Sequence, residues 1–173
     1  MAVIKVTEDL ICEALEFLPP EKQATANSLH ELAKSLGLKI EMRRNLQKAG
    51  RGYYLEYSAK KPKRKLFYIH THEQYKTGEI VFKVKANLFN IDDYRELIEK
   101  SPLAIKKPIM ETGNCLKCRT SCYAIDLRYT IDGTIYDPCY GQGHYFQNLD
   151  SSEWEMLKKI ITNEYNAITV AIV

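Results

Sequence analysis

Four cysteines in the second half of the chain, Cys115, Cys118, Cys122 and Cys139, limit its folding more than any other feature. They follow the pattern Cys-x2-Cys-x3-Cys, then sixteen residues, then Cys. A Cys-x2-Cys turn brings two sulfurs to one metal ion, and four thiolates fill the tetrahedral shell of a structural zinc. Zinc is therefore the expected cofactor. Four cysteines also satisfy an iron–sulfur cluster, but this spacing matches neither the bacterial nor the plant ferredoxin run. A third reading is a redox dithiol at Cys115 and Cys118, although the pair lacks the strand-to-helix context of a thioredoxin motif. A closed four-thiolate shell leaves no open coordination position, so it organises the fold rather than performing zinc hydrolysis.

The compartment bears on this choice. The start, Met1-Ala-Val-Ile-Lys-Val, has no long apolar core or small-residue cleavage site, and the apolar tail 167–173 is too short to span a bilayer. The expectation is a cytoplasmic chain with no membrane partner, where thiols stay reduced and metal is favoured over disulfides. With 173 residues, 45% hydrophobic and 27% charged, the chain can bury a sizeable core without a staple. One domain is expected: an α+β core over 1–101, a cysteine-cluster hairpin region over 102–149, and a C-terminal helix and tail over 150–173. Cys12, among Ile11, Ala14 and Leu15, reads as a small core residue.

The apolar periodicity changes along the chain. Leu10, Ile11, Ala14, Leu15 and Leu18 form a helical stripe after a Thr7 cap, stopped by Pro19-Pro20. Ala26, Leu29, Leu32, Ala33 and Leu36 form a second stripe, ended by Gly37. Period two then takes over at Leu38–Met42, Tyr53–Tyr57, Leu66–Thr71 and Ile80–Val84. Asn90 is placed to cap a short helix over 91–100, and the proline-bearing stretch 102–114 reads as a loop. Near Asp150 two capping boxes, Asp150-x-x-Glu153 and Ser152-x-x-Glu155, open a last helix whose stripe is Trp154, Leu157, Ile160 and Ile161. Residues 167–173 read as a final strand. The expected class is α+β, with N-terminal helices packed on a mainly antiparallel sheet of about five strands.

Asp132-Gly133, between Tyr129-Thr-Ile and Thr-Ile-Tyr136, marks a type I′ hairpin. Its register sets Thr130 opposite Ile135 and Asp126 opposite Cys139. Ile125, Leu127, Tyr129 and Ile131 then share the core face. The stretch from Cys115 through Tyr129-x-Ile131-Asp132-Gly133-x2-Tyr136-x2-Cys139, with Phe146, the Asp150 helix and the preceding 83–94 segment, resembles a family of small uncharacterised bacterial proteins, mostly from Firmicutes. Those carry a cysteine cluster, such a hairpin, a Phe and an acidic-capped helix. The N-terminal part, with its Leu-Pro-Pro-Glu helix entry, is similar to small α+β domains of the YjbR/CyaY-like type. The resemblance implies a cysteine-cluster hairpin followed by a capped helix, and it supplies no activity or catalytic residues.

Net charge is +3, but residues 34–65 hold eleven Lys or Arg against Glu41 and Glu56, leaving −6 on the rest. Arg43, Arg44, Lys60, Lys61, Lys63, Arg64 and Lys65, helped by Lys48 and Arg51, are candidate phosphate contacts. Tyr53, Tyr54 and Tyr57 are candidates for base stacking or for the core. His70 and His72, at i and i+2, share a strand face where a second metal or a plain polar strand end is conceivable. His144 is either a substitute zinc ligand or a surface or site-flanking group. Gly141-Gln-Gly143 is too short for a phosphate loop. No catalytic residue stands out. The expected function is a non-enzymatic, zinc-stabilised intracellular binding protein, a regulatory role being one form of it, acting on nucleic acid or a small ligand. The alternative is a thiol redox protein or enzyme using Cys115 and Cys118.

Overall fold

The computed structural model describes residues 6–45, 52–74, 77–112, 128–138 and 143–170, and only the strand backbone of 43–45. The chain forms two compact units, Met1–Lys85 and Ala86–Val173.

The first unit opens with α1 (Glu8–Glu16), whose Thr7 hydroxyl accepts from the Leu10 amide and whose first turn carries Glu8 and Asp9. Its buried side is Ile11, Ala14 and Leu15. Cys12 is exposed instead of buried. One residue along a helix is a rotation of about 100°, which carries position 12 off the stripe set by its neighbours. α2 (Pro20–Ser35) begins with proline at its first position, where the missing N–H costs nothing. It ends before Gly37, whose φ of +64 suits glycine.

Four strands follow: β1 (Lys39–Asn45), β2 (Gly52–Ala59), β3 (Arg64–Glu73) and β4 (Ile80–Ala86), adjacent in that order. β1–β2 and β2–β3 are antiparallel, with a bulge between Tyr57 and Ser58. The period-two pattern divides the sheet into two unlike faces. Met42, Leu55, Tyr57, Phe67, Ile69, Phe82 and Val84 are buried on one. That face meets the helices: Tyr53 donates to Glu13 at 2.6 Å and packs edge-on against Phe17, and Tyr57 pairs with His30. The other face carries Tyr54, Tyr68, His70, His72, Lys83 and Lys85, all half-buried.

The second unit starts with a 3-10 turn (Ile91–Tyr94) and the five-residue α3 (Arg95–Glu99), where one continuous helix over 91–100 was expected. Asn90 makes no side-chain cap; its side-chain Nδ2 donates to Glu164 at 2.8 Å instead. The expected loop over 102–114 contains a helix, α4 (Leu103–Met110). Pro102 sits at its N-cap and Pro108 lies inside it. Pro108 removes one helical bond, a loss set against the burial of Ile105 and Ile109 at i and i+4.

β5 (Tyr129–Ile131) and β6 (Thr134–Tyr136) form the hairpin expected from Asp132-Gly133. Thr130 pairs with Ile135, and φ is positive at both turn residues, 48 and 77. Tyr129 and Ile131 are buried as expected, while Asp126 and Cys139 lie outside the described residues. Three acidic groups hold the hairpin: Asp92 accepts from the Thr130 amide, Glu99 from the Asp132 amide, and Asp132 pairs with Lys106 at 2.8 Å.

β7 (His144–Phe146) precedes α5 (Ser151–Val170). The Asp150/Glu153 capping box forms: the Glu153 amide donates to Asp150 at 2.9 Å and the Asp150 amide to Glu153 at 2.8 Å. The expected strand over 167–173 is helix as far as Val170, because Ile168 continues the buried stripe of Leu157, Ile160 and Ile161. The α+β class holds, with N-terminal helices on a mainly antiparallel sheet and a C-terminal helix.

Candidate ligand-binding face of the sheet

The expected zinc ligands, Cys115, Cys118, Cys122 and Cys139, all lie outside the described residues. Among the described residues no group of three or more His, Cys, Asp or Glu could hold a metal ion. No helix among them is long and apolar enough to cross a membrane.

The basic candidates fall into two places. Lys60, Lys61 and Lys63 are exposed on the turn joining β2 and β3, with Arg64 and Lys65 beginning β3. Arg43 and Arg44 pair with Tyr54 and Tyr53, whereas the turn closes on the Ala59–Arg64 pair. Five strand residues, about 17 Å, separate positions 54 and 59. Lys65 pairs with Glu56 at 3.0 Å. Tyr57, a candidate for base stacking, is fully buried and stacks on Phe67 at 4.5 Å, so it belongs to the core.

His70 and His72 do share one face, and there the sheet carries its least satisfied polar atoms. Their rings stack with centroids 4.8 Å apart, and Tyr54 covers His70 at 4.2 Å. Tyr54 pairs with His70 across the strands, and Tyr68 meets Tyr54 edge-on at 6.1 Å. His70 Nε2 and His72 Nδ1 are buried and have no hydrogen-bond partner. A buried, unpaired polar atom costs about 1–3 kcal/mol. Burial, then His72 and Lys83, lower the His70 pKa to about 4; burial and then Lys83 lower that of His72. Both imidazoles are therefore neutral at pH 7. Lys85 and Lys65 lie over the Tyr68 ring at 5.7 and 5.9 Å. Burial and Lys65 lower the Lys85 pKa.

Gly52 sets this corner. It pairs with His72, and a Cβ there would stand 2.3 Å from the Thr71 carbonyl oxygen and 2.9 Å from His72 Cα. Only a residue without a side chain lets β2 approach β3 this closely.

Two further histidines have structural surroundings. His30 Nδ1 lies 3.1 Å from the Tyr57 hydroxyl, its Nε2 is buried with no hydrogen-bond partner and the Glu8 carboxylate 3.9 Å away, and burial lowers its pKa against the pull of Glu8. His144 is buried, not on the surface. The Thr112 hydroxyl lies 2.8 Å from the Pro108 carbonyl oxygen and 2.6 Å from His144 Nδ1, sharing a hydrogen bond with each. The Thr112 hydroxyl, the Pro108 carbonyl and His144 Nδ1 together act as a clasp on the end of α4.

Glu164 is the buried group that sequence reasoning missed. It is fully buried, yet it accepts from the Asn90 amide at 3.0 Å, the Asn90 side chain at 2.8 Å and the Tyr94 hydroxyl at 2.7 Å. Burial raises its pKa while those donors pull it down. The available signal was a charged residue placed three after Ile161 and four before Ile168, within the apolar stripe.

No protein-family model, curated protein or solved structure matches the chain.

Proposed function

We propose that this chain is a non-enzymatic binding protein, stabilised by a structural zinc on Cys115, Cys118, Cys122 and Cys139, that offers the outer face of its first sheet to a ligand. One observation carries the binding role: two buried imidazole nitrogens, on His70 and His72, lack partners on a face bordered by lysines. Native interiors rarely leave such atoms unpaired, and a ligand that supplies the partners recovers the cost. The zinc part rests on cysteine spacing, and four thiolates would make it a folding element without an open position.

Elemental mass spectrometry of reduced protein, with a free-thiol count, tests the zinc. One zinc per chain with protected thiols is expected, and Cys139→Ser should lower metal content and stability together. Four reactive thiols without metal would replace this reading with the Cys115/Cys118 redox one. The exposed turn lysines Lys60, Lys61 and Lys63 favour a second ligand class, nucleic acid. Oligonucleotide affinity that falls steeply with salt, and falls further in a Lys60/Lys61/Lys63→Ser variant, is the expected sign of it.

A further inference from the structure

We propose that His70, His72 and Lys83 form a binding site for the oxyanion group, carboxylate or phosphate, of a small molecule. The inference rests on the binding-protein reading and names the chemistry of its ligand.

The argument begins with which species would satisfy the two nitrogens. A neutral imidazole carries one N–H and one lone pair, and the tautomer decides which nitrogen donates. With the protons on His70 Nε2 and His72 Nδ1, both unpartnered atoms become donors. With the lone pairs there, both become metal ligands. The surrounding charge separates these cases. Lys83 acts on both imidazoles as a positive neighbour, and Lys85 and Lys65 flank Tyr68 on the same face. Glu56, the carboxylate on that face, is already paired with Lys65 and accepts from Ser58. Glu73 follows His72 and so occupies the alternate strand position. A divalent cation would find two nitrogen donors, no third protein ligand among the described residues, and a repelling ammonium. An oxyanion finds two N–H donors and a positive charge, and charge-assisted hydrogen bonds are the strong kind.

The site is also held in position before any ligand arrives. Tyr54 packs on His70, His70 on His72, and the close Gly52 approach fixes the strand behind His72. Rings locked by stacking lose little freedom on binding, and because both nitrogens are closed to water a covering side chain must move aside to admit the anion.

The test uses the full chain labelled with 15N in its histidine rings. Inorganic phosphate and acetate are titrated separately, and ring nitrogens are followed by long-range proton–nitrogen correlation. Saturable shifts at His70 Nε2 and His72 Nδ1, with His30 and His144 unmoved, are expected. The better of the two anions identifies the source of the oxyanion. Lys83→Met, at a half-buried surface position, should weaken binding about tenfold, the loss of one charge-assisted contact. Ring nitrogens unmoved by either anion overturn the proposal, as does a Lys83→Met protein that titrates like the parent. So does a Zn2+ titration that moves both nitrogens while phosphate and acetate move neither, since that describes a metal pair. The wild-type titration needs no variant to fold. Zinc content at the cysteines is a separate measurement, so failure of the metal reading and failure of this site are distinguishable.

Discussion

Glu164 in the second unit and His70 in the first are both titratable side chains withdrawn from water, but their surroundings differ in one respect. Glu164 receives three hydrogen bonds from Asn90 and Tyr94, whereas His70 Nε2 makes none, and its ring stacks on Tyr54 and His72. A satisfied buried carboxylate fixes the elements around it. An unsatisfied imidazole on a half-buried face contributes less to stability and leaves bonding capacity for something else. The contrast separates a structural polar site from a receptive one.

Substitution should expose this difference most strongly. Glu164→Ala would strand the Asn90 and Tyr94 donors beside a cavity and cost about 4 kcal/mol, read from the urea midpoint. His70→Phe keeps the stacking and removes the unpaired nitrogen, so stability should change by less than about 1 kcal/mol or rise. Equal losses from the two substitutions would erase the distinction.

Acidity acts on the two groups in opposite senses. The His70 pKa falls from 6.5 to about 4 on folding, so the unfolded chain binds more protons between those values. Above pH 6.5 both states hold the imidazole neutral; as pH falls toward 4 the unfolded chain takes up the proton that the folded chain excludes, and stability falls. Glu164 has a raised folded pKa, so its contribution is present in acid and declines as pH rises through that value. Unfolding curves across pH for His70→Phe and Glu164→Gln should each lose one of these slopes. A His70→Phe protein that keeps the full acid-side slope between pH 6.5 and 4 would show that the imidazole is not its source.

Gly52→Ala tests whether the receptive face depends on close strand approach. The 2.3 Å contact with Thr71 must open, which should cost about 2–3 kcal/mol and shift the His72 ring signals. Unchanged ring signals would detach Gly52 from the site. Tyr94→Phe, which removes one of the bonds to Glu164, should cost about 1.5 kcal/mol. A loss as large as that of Glu164→Ala would mean the carboxylate depends on Tyr94 alone.

What was legible in the sequence follows from how local each signal is. Asp132-Gly133 specifies its own turn, and with it the Thr130–Ile135 register, because both turn residues need positive φ. The Asp150/Glu153 box is local in the same way. Period two placed His70 and His72 on one face. α4 was hidden because Pro102 and Pro108 punctuate it, and its support is the burial of Ile105 and Ile109, a tertiary effect. Glu164 was hidden because its donors lie about 70 residues away, at Asn90 and Tyr94. The missing partners of His70 and His72 could not be read from sequence, since an unmade bond leaves no pattern.

The acidic groups that hold the β5–β6 hairpin have a consequence beyond its shape. A short exposed strand offers its amides to any extended chain that passes, the first step toward association between copies. In β5 the Thr130 amide is occupied by Asp92, and the Asp132 amide just beyond it by Glu99. An incoming strand would have to displace a carboxylate at each amide and lie beside its charge. The hairpin thus carries its own guard against templated aggregation, built from side chains of the helical segment that precedes it.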